Sequence, residues 1–234
     1  MSNVTFAGRA LSTFGAECFF RQIDNSTKHE YIASNIPGRN GALITSQGYR
    51  NNVSHTYDVI IHENAEANMT AFRSYMSSII GYARLSDDIK PNEFYMAYIS
   101  RDIVPEFTPD RSMAKAVIEF SRKPQRFLVS GESVTSLTET GVVSNPTLQE
   151  AKPLLRVYGT GSFGIGNITV TITEADSYTD IDCDIMEAYK GATSKNAYVQ
   201  VTGLTFPVLK PGNNNVVLGS GITRIDITPR WYEL

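Results

Sequence analysis

The chain has 234 residues, 41% of them hydrophobic and 19% charged, and a formal net charge of −3. That balance suits one large or two ordinary globular domains and excludes wholesale disorder. It also argues against a surface that grips nucleic acid, since no Lys/Arg-rich run is available to neutralise phosphates.

From residue 1 to residue 61 the signals are extended. The block Ile36-Pro37-Gly38-Arg39-Asn40-Gly41 interrupts them as a turn, because Pro presets φ while Gly and Asn tolerate positive φ. Cys18 and Cys183, the two cysteines, are too few for a disulfide framework. Tyr57, Val59 and Ile61 alternate and predict a half-buried strand. A helix is predicted over 65–80, with Asn64 as N-cap, Glu66 in the first turn and Gly81 past the end. Met69, Phe72, Met76, Ile79 and Ile80 recur at helical spacing, the pattern of a stripe packed on a sheet. Strand patterns return at 82–85, 94–103 and 113–121. Lys123-Pro124-Gln125-Arg126-Phe127 closes the region, with Pro124 expected at a strand start or edge.

Residues 130–144 are polar and rich in Ser and Thr, and read as the linker and the entry into a second domain. Beyond them short strands are predicted at 154–158, 167–173, 178–186, 198–201, 216–218 and 222–228, separated by Gly- and Pro-containing turns. Strands at this spacing without a helix between them argue for an antiparallel sandwich. Trp231, the fourth residue from the end of the sequence, reads as an anchor for the tail. No stretch reaches the length of a membrane-spanning helix, and no basic-then-apolar leader is present.

None of the constellations that could carry chemistry is compelling. Gly159-Thr160-Gly161-Ser162-Phe163-Gly164 matches a dinucleotide fingerprint, but a strand pattern follows where a helix is needed, so a hairpin connection is expected. Asp180, Asp182 and Asp184 alternate with Ile181, Cys183 and Ile185, and read as a solvated strand face rather than a calcium site. His55 and His62 fall on opposite faces of one strand and cannot chelate together. No catalytic residue, metal site or cofactor is expected, and interaction surfaces become the main subject. Pro37, Gly38, Arg39 and Asn40, and Asp102 and Phe107 within residues 102–110, are the candidate contacts.

One succession of motifs carries a resemblance. It runs from Ile36-Pro37-Gly38-Arg39-Asn40-Gly41 through the helix and Lys123-Pro124-Gln125-Arg126-Phe127, then Asn145-Pro146-Thr147 and the segment from Lys152 to Gly159. It continues with the segment from Asp180 to Tyr189 and the segment from Phe206 to Gly212, and ends at Ile225 to Pro229-Arg230-Trp231. In this order the motifs resemble the distal tail proteins of siphophages that infect Gram-positive bacteria.

The resemblance implies a mainly β, two-domain subunit. Residues 1–129 would be a β-sandwich with one helix that builds a ring, usually hexameric. Residues 130–234 would be a galectin-like antiparallel β-sandwich, with 229–234 as candidates to return to the first domain. It further implies a virion structural protein at the tail tip, made in the host cytoplasm. Its partners would be copies of itself, the major tail tube protein, a tail-associated lysin or tail-tip protein and receptor-binding proteins. Phage DNA would pass through the ring's channel without specific binding. A carbohydrate-binding, lectin-like adhesion module is the competing expectation, although the chain has no room for an inserted sugar-binding domain.

Overall fold

The computed structural model describes residues 2–21 and 27–234; residue 1 and residues 22–26, which belong to the extended N-terminal stretch, lie outside the described residues. Backbone contacts divide the chain into two compact units, one reaching Arg126 and including Leu234, the other spanning Phe127–Glu233.

In the first unit the antiparallel strands run in the spatial order Arg9–Ala10, Thr5–Phe6, Ala83–Ser86, Glu93–Ile99, Ala114–Arg122, Val53–Ile61, Ala16–Phe20. The two long central strands pair from Ala114↔Ile61 to Arg122↔Val53. Along both, every second residue is buried: His55, Tyr57, Val59 and Ile61 on one, Ala114, Ala116, Ile118 and Phe120 on the other. A one-residue slip would expose all of them, and this fixes the register.

The helix Ala65–Ser78 covers that apolar face. Ala65, Met69, Phe72 and Met76 join one buried cluster with Phe6, Leu11, Phe14, Val59, Ile61 and Ile118. The Tyr75 hydroxyl donates to the Phe6 carbonyl at 2.7 Å and ties the helix to the strand Thr5–Phe6. The sheet bends back on itself: Ser2 bridges Cys18 of the far edge strand and the Phe6 ring lies 4.9 Å from Phe120, so its opposite parts share one core with the helix. The ends of the helix differ from expectation. Asn64 is left-handed (φ 44°) and makes no side-chain cap; Asn68 Nδ2 instead donates to the Glu63 carbonyl at 2.7 Å. Ile80 lies beyond the last turn and is 96% exposed, because the chain turns extended at Ile79.

The second unit has two antiparallel sheets. One orders Thr135–Leu137, Ile222–Thr228, Leu154–Gly159, Thr179–Asp182, Glu187–Lys190 and Thr193–Ser194; the other orders Gly141–Asn145, Gly212–Leu218, Gly161–Ile165, Ile168–Ile172 and Val199–Val201. Leu155, Val157, Ile181, Ile225 and Ile227 of the first sheet share a core with Phe163, Ile165, Val170, Ile172 and Val216 of the second. Facing sheets with a common core make a sandwich.

Three local expectations are corrected here. The polar stretch 130–144 is no linker: it supplies an edge strand to each sheet, pairing Thr135–Leu137 with Ile225–Ile227 and Gly141–Asn145 with Gly212–Val216. An edge strand has only one neighbour and one buried face, so few large apolar residues suffice. The Gly159-to-Gly161 segment is not a hairpin, since the strands it joins lie in different sheets. It crosses between them against Ser220-Gly221, and a Cβ at Gly221 (φ 87°) would run into the Thr160 carbonyl. Finally, Asp180 and Asp182 are not solvated but 5% and 7% exposed. Arg156 grips Asp180 through Nε and Nη2 at 2.7 and 2.9 Å, and Arg230 grips Asp182 at 2.8 Å through both terminal nitrogens. Planar guanidinium forks match carboxylates in this way, which the alternating pattern alone could not reveal.

Arg230 also adopts φ 59° and donates its amide to the Gly131 carbonyl at 2.8 Å. Trp231 is buried in the sandwich core, and its carbonyl accepts from Leu128 N at 2.9 Å. A Cβ at Gly131 would run into the Trp231 amide. The beginning and the end of the second unit are thereby stitched together.

Two outcomes are expected. Phe72→Ala removes a fully buried ring from the helix–sheet core and should destabilise the first unit by about 3–5 kcal/mol in denaturant unfolding. Arg230→Ala removes the cationic partner of the buried Asp182 carboxylate, leaving it only backbone amides, and should cost the second unit about 2 kcal/mol at neutral pH. Burial raises the pKa of Asp182, but Arg230 and the Asp184 and Ile185 amides outweigh it and hold the carboxyl below its ordinary value. Stability from this group is therefore complete above the unfolded pKa of about 4 and lost as pH falls through the lower folded value. The gap between wild type and Arg230→Ala should accordingly narrow below about pH 4; a gap independent of pH would contradict the assignment.

Candidate assembly interface

Strands His29–Asn35 and Ala42–Arg50 form a two-stranded sheet of their own within the first unit. The sequence-predicted turn closes it: Arg39 N donates to the Ile36 carbonyl at 3.2 Å, and Gly38 has φ 79° at the second corner. A Pro-Gly pair at those corners is the requirement of a type II turn. At the base, Arg50 donates to the Thr27 carbonyl and hydroxyl at 2.9 and 3.0 Å, and Asn51 to Glu30 at 2.8 Å.

The arm between these ends is unusual in what it exposes. Tyr31, Ile32, Ile44 and Tyr49 are each 53–56% exposed, and Ile36 and Leu43 exceed 40%. Cross-strand pairs place Tyr31 opposite Ser46 and Ala33 opposite Ile44 on one face, with Ile32 opposite Thr45 and Ser34 opposite Leu43 on the other. Both faces therefore carry apolar side chains. From Tyr31 to Tyr49 the one charged residue is Arg39, at the tip.

A groove of about 670 Å³ lies on the sheet of the first unit, lined by Phe19, Ile60, Val104 and Val117 among charged groups that include Arg21, Asp58, Asp102 and Lys115. Asp58, Ile60, Lys115 and Val117 alternate with the buried Val59 and Ala116, so this is the face turned away from the helix. Asp102 and Val104 belong to the exposed segment after Ile99; Val104 is 70% exposed. On its other side this segment borders a second cavity of about 740 Å³ with Arg73, Ser77, Ile79 and Tyr98.

The candidate contacts thus divide. Pro37, Gly38, Arg39 and Asn40 sit together at the arm tip, and Asp102 lines the groove. Phe107 does not line it; it lies in the short strand Glu106–Phe107, with the Arg111 guanidinium 5.8 Å from its ring. The motif blocks serve as frame. Lys123 N donates to the Met96 carbonyl at 2.8 Å and its ammonium lies 5.1 Å from the Tyr82 ring. Pro124 and Gln125 fall in the gap before the strand Arg126–Leu128. Arg126 reaches both oxygens of Glu93 at 3.2 and 3.3 Å and the Leu234 carbonyl at 3.4 Å. Phe127 and Tyr232 rings lie 6.1 Å apart, and Pro229-Arg230-Trp231 forms the terminal clamp. Sequence reading found the arm's turn but missed Tyr31, Ile32, Leu43 and Ile44. A charge-free run on both sides of a Pro-Gly turn was the available signal.

No reactive grouping emerges among the described residues. His55 Nε2 lies 2.8 Å from the Tyr57 hydroxyl, which donates to Asp87 at 2.6 Å, but His55 and Tyr57 are both buried. Burial first, and then the Asp87 charge, push the tyrosine pKa up, so this is a core network and no base. Burial pushes both cysteine thiols up to about 12, which leaves them unreactive. No group of three or more His, Cys, Asp or Glu among the described residues could hold a metal ion.

No family model and no curated protein matches the sequence. Solved structures do match. The Dit protein of phage SPP1, described as a paradigm of the hub adsorption apparatus in phages infecting Gram-positive bacteria, aligns over 100% of both chains with a TM-score of 0.70 at 14% identity. A chain of the phage p2 baseplate in its activated conformation with Sr aligns over 97% of both chains (TM-score 0.55, 10% identity). One from the same baseplate with Ca covers 90% of this chain and 89% of that chain (TM-score 0.50, 11% identity). At such identities the likeness is one of fold, and over its whole length this chain has the mainly β fold of phage hub and baseplate proteins.

Proposed function

We propose that this protein is a structural hub at the distal end of a long, non-contractile phage tail. Copies of the chain form a ring, six in number, that links the tail tube to the tail-tip and adhesion components. The observation that carries the proposal is the arm. A two-stranded hairpin is marginal in water, and this one leaves apolar side chains on both faces without cover from its own unit. Such a segment becomes stable when other surfaces bury it, as a closed assembly of identical copies does. The full-length likeness to hub and baseplate proteins supports the same reading.

The remaining roles follow from it. The galectin-like second unit would face the tail-tip and receptor-binding proteins. DNA would move through the ring without binding, in keeping with the net charge of −3. A lectin role draws less support. On the outer face of the six-stranded sheet, Tyr158 and Tyr178, the rings a sugar would stack on, each carry a guanidinium 4.3 Å from the ring centre, from Arg224 and Arg156. Trp231 is buried.

Light scattering or native mass spectrometry over a range of concentrations should detect a species of six chain masses. Replacing residues 31–48 by a two-residue turn should leave the circular dichroism of the body intact and yield monomer. Equal assembly by the armless variant would refute the arm's part in the ring.

A further inference from the structure

The arm calls for a receiving surface, and the first unit offers one that suits it. The groove floor is apolar where Phe19, Ile60, Val104 and Val117 meet, and three of these are substantially exposed. Around the floor the charges largely answer one another: Arg21 lies 3.5 Å from Asp58, and Lys115 stands opposite Glu106 across the strand pair. An occupant of the floor should therefore be uncharged along its length. The arm from Tyr31 to Tyr49 is such a segment, apart from the cation at its tip. Of the remaining groups on the groove wall, Arg101 is a cation while Asp102 and Glu119 are exposed or half-exposed acids, so the wall keeps an acidic excess to complement that cation.

Resting on the assembly reading above, we infer that the arm of each copy seats in this groove of the next copy. Its charge-free middle packs on Phe19, Ile60, Val104 and Val117, and Arg39 reaches the acidic side at Asp102. Donor and acceptor are different patches of the same unit, so the contact is head-to-tail. A head-to-tail contact repeats from copy to copy and closes when its rotation divides the circle. The strands of the arm, of seven and nine residues, extend roughly 25–30 Å, long enough to bridge neighbouring bodies.

Paired cysteines test the docking directly. Val117→Cys combined with Leu43→Cys, or with Ile44→Cys to sample the other face of the arm, is introduced into the full chain and oxidised mildly. The native thiols, both buried, do not compete. One pairing should give a reducible ladder of intermolecular species on denaturing gels. As a second measurement, Arg39→Glu and Asp102→Arg should each weaken association about tenfold, and the double variant should recover most of it. The inference requires both results. Rings that form normally without a ladder from either pairing, or without recovery in the double variant, overturn the docking while leaving the hub reading in place. A wild-type chain that stays monomeric at every concentration removes the hub reading and the docking with it.

Discussion

A two-stranded arm cannot bury its own side chains, and that constraint organises the functional reading of this chain. In the first unit's sheet, Val59 and Ile118 are buried in one cluster with the helix and with residues of other strands. The arm has no such cover. Tyr31, Ile32, Leu43 and Ile44 remain open on two faces, at a cost of the order of 25 cal/mol for each Å² of apolar surface left in water. A segment of this kind is favoured only when an interface completes it.

The rest of the structure serves rigidity. In the first unit the paired long strands and the Met/Phe stripe of the helix make a firm platform for the groove. In the second unit, bidentate ion pairs hold strand Thr179–Asp182, and the Arg230–Trp231 segment closes against Gly131. Such pairs add little net stability relative to well-packed apolar groups, but losing one partner strands a buried charge. They therefore act as register pins more than as glue. Burial raises both thiols, and His55 and Tyr57 are buried with the half-buried Asp87 as their outer partner.

Much of this was legible in residue order because it depends on local periodicity. The helix announced itself through Met69, Phe72 and Met76, and the strand Val53–Ile61 through strict alternation. The turn at Pro37-Gly38 followed from backbone preference alone. The failures share a cause as well. Asp180 and Asp182 looked solvated because alternation reports which residues share a face, not what covers that face. Their partners, Arg156 and Arg230, come from 24 and 48 residues away. The Gly159-to-Gly161 crossing looked like a hairpin because nothing local tells which sheet a strand will join. The polar stretch 130–144 looked like a linker because edge strands ask little of hydrophobicity.

What the residues determined by themselves was the class of the protein: mainly β, one amphipathic helix, no membrane-spanning helix pattern and a surface without cationic runs. These are set by composition and by short-range repeats of two and 3.6 residues. Only tertiary structure decided which surfaces are left to work with. Phe19, Ile60, Val104 and Val117 come from four separate stretches; strand pairing brings Phe19, Ile60 and Val117 side by side, and the segment after Ile99 folds back to add Val104. The arm's exposure is likewise a property of what fails to pack on it. Burial and juxtaposition depend on residues far apart in the chain, which is why they appear only once the whole chain has folded.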